Sequence, residues 1–242
     1  MATLPSALEA RLTNLANALI DQKRARTIVP AQQPSTGFWF GGGNTIEDTN
    51  GDLHVVGRYR NHGDSRTGVA AGQRGLELAI FTSTDGGENW EKSVSFSKSD
   101  LNFGDRTVLS IEGSALRRTA NGYELYVSTE KDGIGYPEGY DGYLKPGTGV
   151  WTIERLAAGS LEGLKQAPLE TAAECSDLRW LHIKDPFLYE RAGGDLNLLF
   201  CSHPFSWSSS NTGYRTATAA STNDIDTQPQ FGEAEYDFFP RG

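Results

Sequence analysis

Ser114-Ala-Leu-Arg-Arg-Thr-Ala-Asn-Gly-Tyr-Glu-Leu-Tyr-Val-Ser128 decides how the chain is read. A short apolar run meets an Asn-Gly turn and leaves as an alternating strand, Tyr123 to Val127, which is the signature of a β-hairpin. The same design occurs earlier as Asn44-Thr-Ile-Glu-Asp-Thr-Asn-Gly-Asp-Leu-His-Val-Val56 and later as Pro186-Phe-Leu-Tyr-Glu-Arg-Ala-Gly-Gly-Asp-Leu-Asn-Leu-Leu-Phe200. The turn glycines Gly51, Gly122 and Gly194 lie 71 and 72 residues apart. A fixed period of this kind marks an internal structural repeat.

Each repeat offers further strands. Leu76–Ser83 and Trp90–Phe96 follow the first hairpin, Val150–Leu156 the second and Tyr214–Ala219 the third. Four antiparallel strands per repeat describe a blade of a β-propeller, so the expected class is all-β, with about three four-stranded blades in residues 37–242. Propellers use about 4–8 blades. The expectation is therefore an incomplete propeller, closed by further C-terminal blades or by a second chain. Phe238-Phe239-Pro240-Arg241 reads as the start of a fourth unit, and Ser221-Thr222-Asn223-Asp224 as a decayed copy of a turn described below. Residues 1–36 form a separate N-terminal segment. Leu8, Leu12, Leu15 and Leu19 share one helical face, Ser6 and Glu9 fit a capping box, and Lys23, Arg24 and Arg26 suit a helix C-terminus. A helix over residues 6–26 is expected, ended by Pro30 and Pro34.

Composition narrows the function. Among 242 residues the aromatic share is 10%, which a packed core can use and a disordered chain lacks. The net charge of −9, with no basic run, argues against nucleic acid or an anionic membrane as partner. No apolar stretch reaches the roughly 20 residues of a membrane span. The N-terminus lacks a basic start followed by an apolar run, so the expected compartment is the cytoplasm unless a secretory signal has been removed. Cys175 and Cys201 match no metal spacing; they read as two thiols or as one cross-strand disulfide. Nothing in the sequence requires a cofactor or a metal. His62, Asp64 and His203 would form a metal site only by convergence in three dimensions.

The turn Ser83-Thr84-Asp85-Gly86-Gly87-Glu88-Asn89-Trp90 resembles the Asp-box (BNR repeat), Ser-x-Asp-x-Gly-x-x-Trp, of sialidase-like propellers. The resemblance implies a structural turn between the third and fourth strands of a blade, with a buried Trp90, on the side away from the active site. Ile111-Glu-Gly followed by a hairpin, and Lys184-Asp-Pro-Phe followed by another, are similar to segments of five-bladed glycosidases of the arabinanase and fructosidase kind. That similarity implies carboxylates on the first strands of successive blades. A protonated carboxyl in a partly desolvated channel can donate to the leaving oxygen, so Glu112 is the expected general acid and Asp185 the second carboxylate of a glycoside hydrolase, although those families place the general acid after the Asp-Pro blade. Turn spacing matches Glu112 with Lys184 in the next unit. The chain departs from those families in its first unit, which reads Gly41-Gly-Gly-Asn44 where they carry Asp, and in Lys184, where they carry Arg.

The substrate side is expected from four clusters. Arg58 and Arg60 fall on one face of a strand and open a loop with His62 and Asp64. Guanidinium forks suit a sugar carboxylate, so an acidic sugar fits. Lys184 adjoins Asp185. Tyr140 stands with Tyr136 and Tyr143 in the glycine-rich insertion 131–149, where aromatic rings can stack on sugars. His203 and Trp207 are placed on a substrate wall. The partner is accordingly an oligo- or polysaccharide. A polysaccharide lyase using Arg58 or Arg60 with His62 or a Tyr as base, and a non-catalytic glycan-binding propeller, are the alternatives.

Overall fold

The computed structural model describes residues 4–61, 74–190 and 196–205, and the backbone of 211–216 and 226–228. Among the described residues it is all-β apart from one α-helix and short 3-10 turns. The helix, α1, spans Ser6–Leu19 and buries none of its residues. It is shorter than expected because Asp21 opens a local turn, its side chain accepting from the Lys23 N–H at 3.1 Å and its carbonyl from the Arg24 N–H at 3.0 Å. Such side-chain bonds compete with helix continuation. The basic residues 23–26 therefore follow the helix instead of ending it. The cap is the Pro5 carbonyl, bonded by the Leu8 and Glu9 N–H groups, and Ser6 is already helical, so there is no capping box.

Three antiparallel sheets follow in chain order. The first holds β1 (Trp39–Gly41), β2 (Thr45–Glu47), β3 (Leu53–Arg60), β4 (Glu77–Ser83) and β5 (Glu91–Ser97), with β1 and β2 both pairing β3. The second holds β6 (Thr107–Thr119), β7 (Gly122–Asp132), β8 (Val150–Ala158) and β9 (Glu170–Ala173). The third holds β10 (His182–Glu190), β11 (Leu196–His203), β12 (Asn211–Thr216) and β13 (Asp226–Gln228). The hairpin turns fall where the repeats place them: Gly51 and Gly122 take φ of +88° and +127°, conformations that glycine adopts at little cost. Gly194, the segment 221–224 and the segment 238–241 lie outside the described residues.

Alternation sorts the side chains of the middle sheet. Leu116, Leu125, Val127 and Leu156 face the first sheet and pack with Val56, Ile80 and Phe96. Ala115, Tyr126 and Ile153 face the third sheet and pack with Ile183, Leu198 and Phe200. Period-2 alternation would put Ile111 and Leu116, five residues apart, on opposite faces. Both face the first sheet, because β6 carries a bulge between Ile111 and Ser114. The third sheet repeats this: Ile183 and Leu188 share the face toward the middle sheet, across a register shift between Lys184 and Phe187 in β10. Strands β2, β6 and β10 contribute to one cleft of about 340 Å³ whose walls include Asn44, Leu116, Arg118 and Phe187. The Asn44 side chain closes part of that boundary like a strand, donating to the Leu116 carbonyl at 2.9 Å and accepting its N–H at 2.8 Å.

The β4–β5 turn lies at the opposite end of its sheet from Arg60. Asp85 there accepts the Ser83 hydroxyl at 2.7 Å and the Glu88 and Asn89 N–H groups at 3.0 and 2.9 Å. Trp90 is half-buried, less than expected, and donates from Nε1 to the Gly87 carbonyl of the exposed turn at 3.0 Å. These bonds, the Asn89 N–H first, hold the Asp85 carboxyl down at about 2. A carboxylate depressed on folding stabilises above its unfolded pKa and loses that contribution as pH falls through the folded one. Asp85→Ala should melt below wild type at neutral pH, with the gap closing between about pH 4 and pH 2; thermal melts across that range check it, and a constant gap would contradict it.

Candidate functional site

Glu112 and Asp185 both sit on bulges. In the second sheet Ile111 pairs Thr129 and Ser114 pairs Val127, so Glu112 and Gly113 together face Ser128. In the third sheet Lys184 pairs Cys201 and Phe187 pairs Leu199, so Asp185 and Pro186 together face Phe200. Glu112 is thus the structural equivalent of Asp185, one position off the match with Lys184 that turn spacing suggests. The offset arises because Glu112 stands ten residues before Gly122 in the sequence and Asp185 nine before Gly194. Extra residues at a bulge are re-aimed out of the pleat. Here Gly113 meets Asp185 across the boundary between the second and third sheets, while the Glu112 carboxylate reaches Arg58 of the first.

The two bulges touch. A Cβ on Gly113 would lie 2.7 Å from Asp185 Oδ1 and 2.9 Å from its Cα, so only glycine lets the backbones approach this closely. Asp185 has φ of +57°, a left-handed conformation that Asp tolerates better than most residues. The first sheet has its own interruption at the same level. Gly41 pairs Arg58 and Thr45 pairs Val55, leaving Gly42, Gly43 and Asn44 opposite two residues. The Gly42 carbonyl accepts the Ser114 N–H at 2.8 Å, tying the first interruption to the second. Gly42 occupies the position that carries a carboxylate in the other two sheets, and a Cβ there would lie 3.9 Å from Arg58 Nε. A cation therefore stands where a third acid would be.

Arg58 is 3% exposed and its guanidinium bonds the Glu112 carboxylate. Both Arg58 and Arg60 lie over the ring of Trp39, at 5.4 and 5.6 Å from its centroid, within cation–π range. Lys184 Nζ is 3.9 Å from Asp185 Oδ2. Burial pushes the Glu112 carboxyl above the usual range and outweighs the opposing pull of Arg58; Asp185 adds to the rise, and Lys184 and Arg60 oppose it. The Asp185 side chain is 43% exposed against 22% for Glu112, so the pair combines a desolvated acid with a solvated one. Removing Arg58 removes a charge that favours ionised Glu112. Arg58→Met should raise the Glu112 pKa further, read from the side-chain carboxyl in a ¹³C NMR titration; an unchanged or lower value would contradict the pairing.

The other expected residues divide. Tyr140 is half-buried, its ring 6.0 Å from that of Tyr143 and 5.0 Å from that of Phe205, so the insertion and the segment after β11 form one aromatic group. His203 is 2% exposed and pairs His182 in the register. It is part of the core under the Tyr136 hydroxyl, which meets His182 Nε2 at 3.0 Å, and it forms no open wall. Burial drives the His182 pKa down to about 3. His62, Asp64 and Trp207 lie outside the described residues. Among the described residues no group of three or more His, Cys, Asp or Glu could hold a metal ion, and Cys175 and Cys201 are free thiols.

Sequence reasoning missed four residues. Trp39 is 41% exposed beside the two arginines; a tryptophan before a glycine run was the available signal. Glu130 on β7 is buried, bonds the Arg74 guanidinium, accepts the Gly149 N–H at 2.8 Å and carries a pKa raised by burial, with Glu112 adding to the rise. Arg74 completes that pair, and Ser128 lies between the bulges. No sequence pattern marks the last three, because each acts through contacts between strands.

No protein-family model matches the chain, and none of the curated proteins does. Among solved structures, a family 117 glycoside hydrolase from Zobellia galactanivorans aligns with a TM-score of 0.49 and 11% identity, over 85% of this chain and 60% of that one. The GH93 α-L-arabinofuranosidase of Fusarium graminearum, in complex with arabinobiose, gives 0.45 and 13%, over 83% and 52%. The endo-arabinase of Bacteroides thetaiotaomicron gives 0.44 and 10%, over 84% and 59%. These neighbours are glycoside hydrolases, and the chain spans about half their length. Likeness at this level concerns the course of the chain and not its side chains.

Proposed function

We propose that the chain is a glycoside hydrolase whose three sheets are successive blades of a β-propeller, completed by further blades. The observation that carries this reading is the pair of carboxylates, Glu112 and Asp185, on equivalent bulges of two sheets that touch where Gly113 meets Asp185. Glycosidic cleavage needs one carboxyl that holds a proton and one that is ionised on the other side of the bond. Glu112, half-buried and raised in pKa, is the general acid that protonates the leaving oxygen. Asp185, more exposed, is the nucleophile or the base that activates water.

Trp39 and the Tyr140–Tyr143–Phe205 group supply faces for sugar rings. Arg58 is engaged with Glu112, so Arg60 beside Trp39 is the cation that would meet a sugar carboxylate if the substrate carries one. The test is incubation of the protein with neutral and uronate-containing oligosaccharides. New reducing ends without an ultraviolet-absorbing product support hydrolysis. An absorbing unsaturated product would assign a lyase, and retention of glycan without turnover a binding module; either would overturn the reading.

A further inference from the structure

We propose that Ser128 is a positioning residue whose single hydroxyl locks the Glu112 bulge to the Asp185 bulge. Ser128 lies on β7 opposite both Glu112 and Gly113 and is 0% exposed. Its Oγ donates to the Gly113 carbonyl at 3.0 Å and accepts the Asp185 N–H at 3.2 Å. A hydroxyl has one proton to give and lone pairs to receive with, so one side chain serves both bulges at once. Its two partners are backbone groups of bulge residues, which a bulge removes from regular ladder pairing. Buried backbone groups need partners, and the left-handed turn at Asp185 (φ +57°) persists only where its surroundings hold it. Alternation places Ser128 on the β7 face toward the third sheet, with Tyr126, which is why it reaches across to β10.

The consequence for chemistry rests on the hydrolase reading; the structural coupling does not. Glu112 is faced by Arg58 and Arg60 from β3, by Lys184 and Asp185 from β10 and by Glu130 from β7. Of these, Asp185 is the group that Ser128 holds in place. If the bulges separate, the carboxylate that raises the Glu112 pKa withdraws, and that pKa falls.

Ser128→Ala keeps the volume and removes the hydroxyl; Ser128→Thr keeps the hydroxyl, and Ser128→Cys keeps the shape with a weak donor. The readouts are the ¹³C titration of the Glu112 carboxyl and, on a cleaved glycan, kcat and KM against pH. Ser128→Ala should lower the Glu112 pKa by about half a unit or more. It should cut kcat about 10–100-fold with KM near wild type, as expected for misplaced reacting groups, and move the alkaline limb to lower pH. Ser128→Thr should restore these values. Ser128→Cys should fall between them, and it decides the matter if the alanine variant does not fold. Unchanged Glu112 titration in the folded Ala or Cys variant overturns the proposal, even if Glu112→Gln is inactive. A shifted titration beside a fully active Glu112→Gln retains Ser128 as the lock and discards the hydrolase reading.

Discussion

Glu112→Gln is expected to lower kcat on a glycan with a poor leaving group by about 10²–10⁴-fold, the usual contribution of a positioned acid. The amide keeps the size of the side chain and its acceptor toward Arg58, so KM should stay within a few-fold of wild type. The pH profile should change as well. Burial raises the Glu112 pKa, so in wild type the protonated, active form is lost as pH rises through that value, giving an alkaline limb. The Gln variant has no proton to lose there, and that limb should vanish from what activity remains. An activated leaving group, which departs without a proton, should rescue much of the loss. Near-normal turnover on an unactivated glycan would remove Glu112 from the role of acid and shift the weight to Arg58, Arg60 and the loop that follows them.

The all-β class and the repeats were legible because period-2 alternation and Asn-Gly turns are local. Gly51 and Gly122 fall at observed turns for that reason. The bulges were legible only in hindsight. Ile111-x-x-x-x-Leu116 and Ile183-x-x-x-x-Leu188 both break alternation by one residue, and each break marks an extra residue aimed at the neighbouring sheet. The turn-based match of Glu112 with Lys184 slipped by one, because Glu112 stands ten residues before its turn glycine and Asp185 nine before its own. Helix length failed at Asp21, where a side-chain bond outweighed periodicity. His203 was read from its neighbours along the chain, whereas register against His182 buries it. Glu130, Arg74 and Ser128 owe their importance to partners 15 to 57 residues away, contacts that no local sequence pattern marks.

The largest stability effect should come from a buried ion pair to which no chemistry is assigned. Lys131 on β7 and Glu154 on β8 are 0% and 1% exposed, with Nζ and Oε2 at 2.6 Å. The Thr152 hydroxyl donates to Glu154 Oε1 at 2.6 Å and that of Thr129 to Oε2 at 2.8 Å, while Lys131 also donates to Thr152 Oγ1 at 2.9 Å. Glu154→Gln is isosteric but leaves a buried ammonium without its counter-charge, which should cost about 3–5 kcal/mol. In a chain of this size that corresponds to a melting temperature lower by roughly 6–20 °C. The pH dependence gives the sign. Burial already holds the Lys131 pKa below its ordinary value, and losing Glu154 removes the attraction that opposes this. A lysine depressed on folding destabilises while charged, and the penalty fades as pH rises through its folded pKa. The deficit of Glu154→Gln should therefore shrink as pH rises toward the ordinary lysine pKa of about 10. Lys131→Met with Glu154→Leu removes both charges and should recover most of the loss, short of wild type by about 1 kcal/mol for each threonine hydroxyl left without a partner. A double variant no more stable than Glu154→Gln, or a deficit that ignores pH, would show that packing at this position, and not the buried charge, sets the cost.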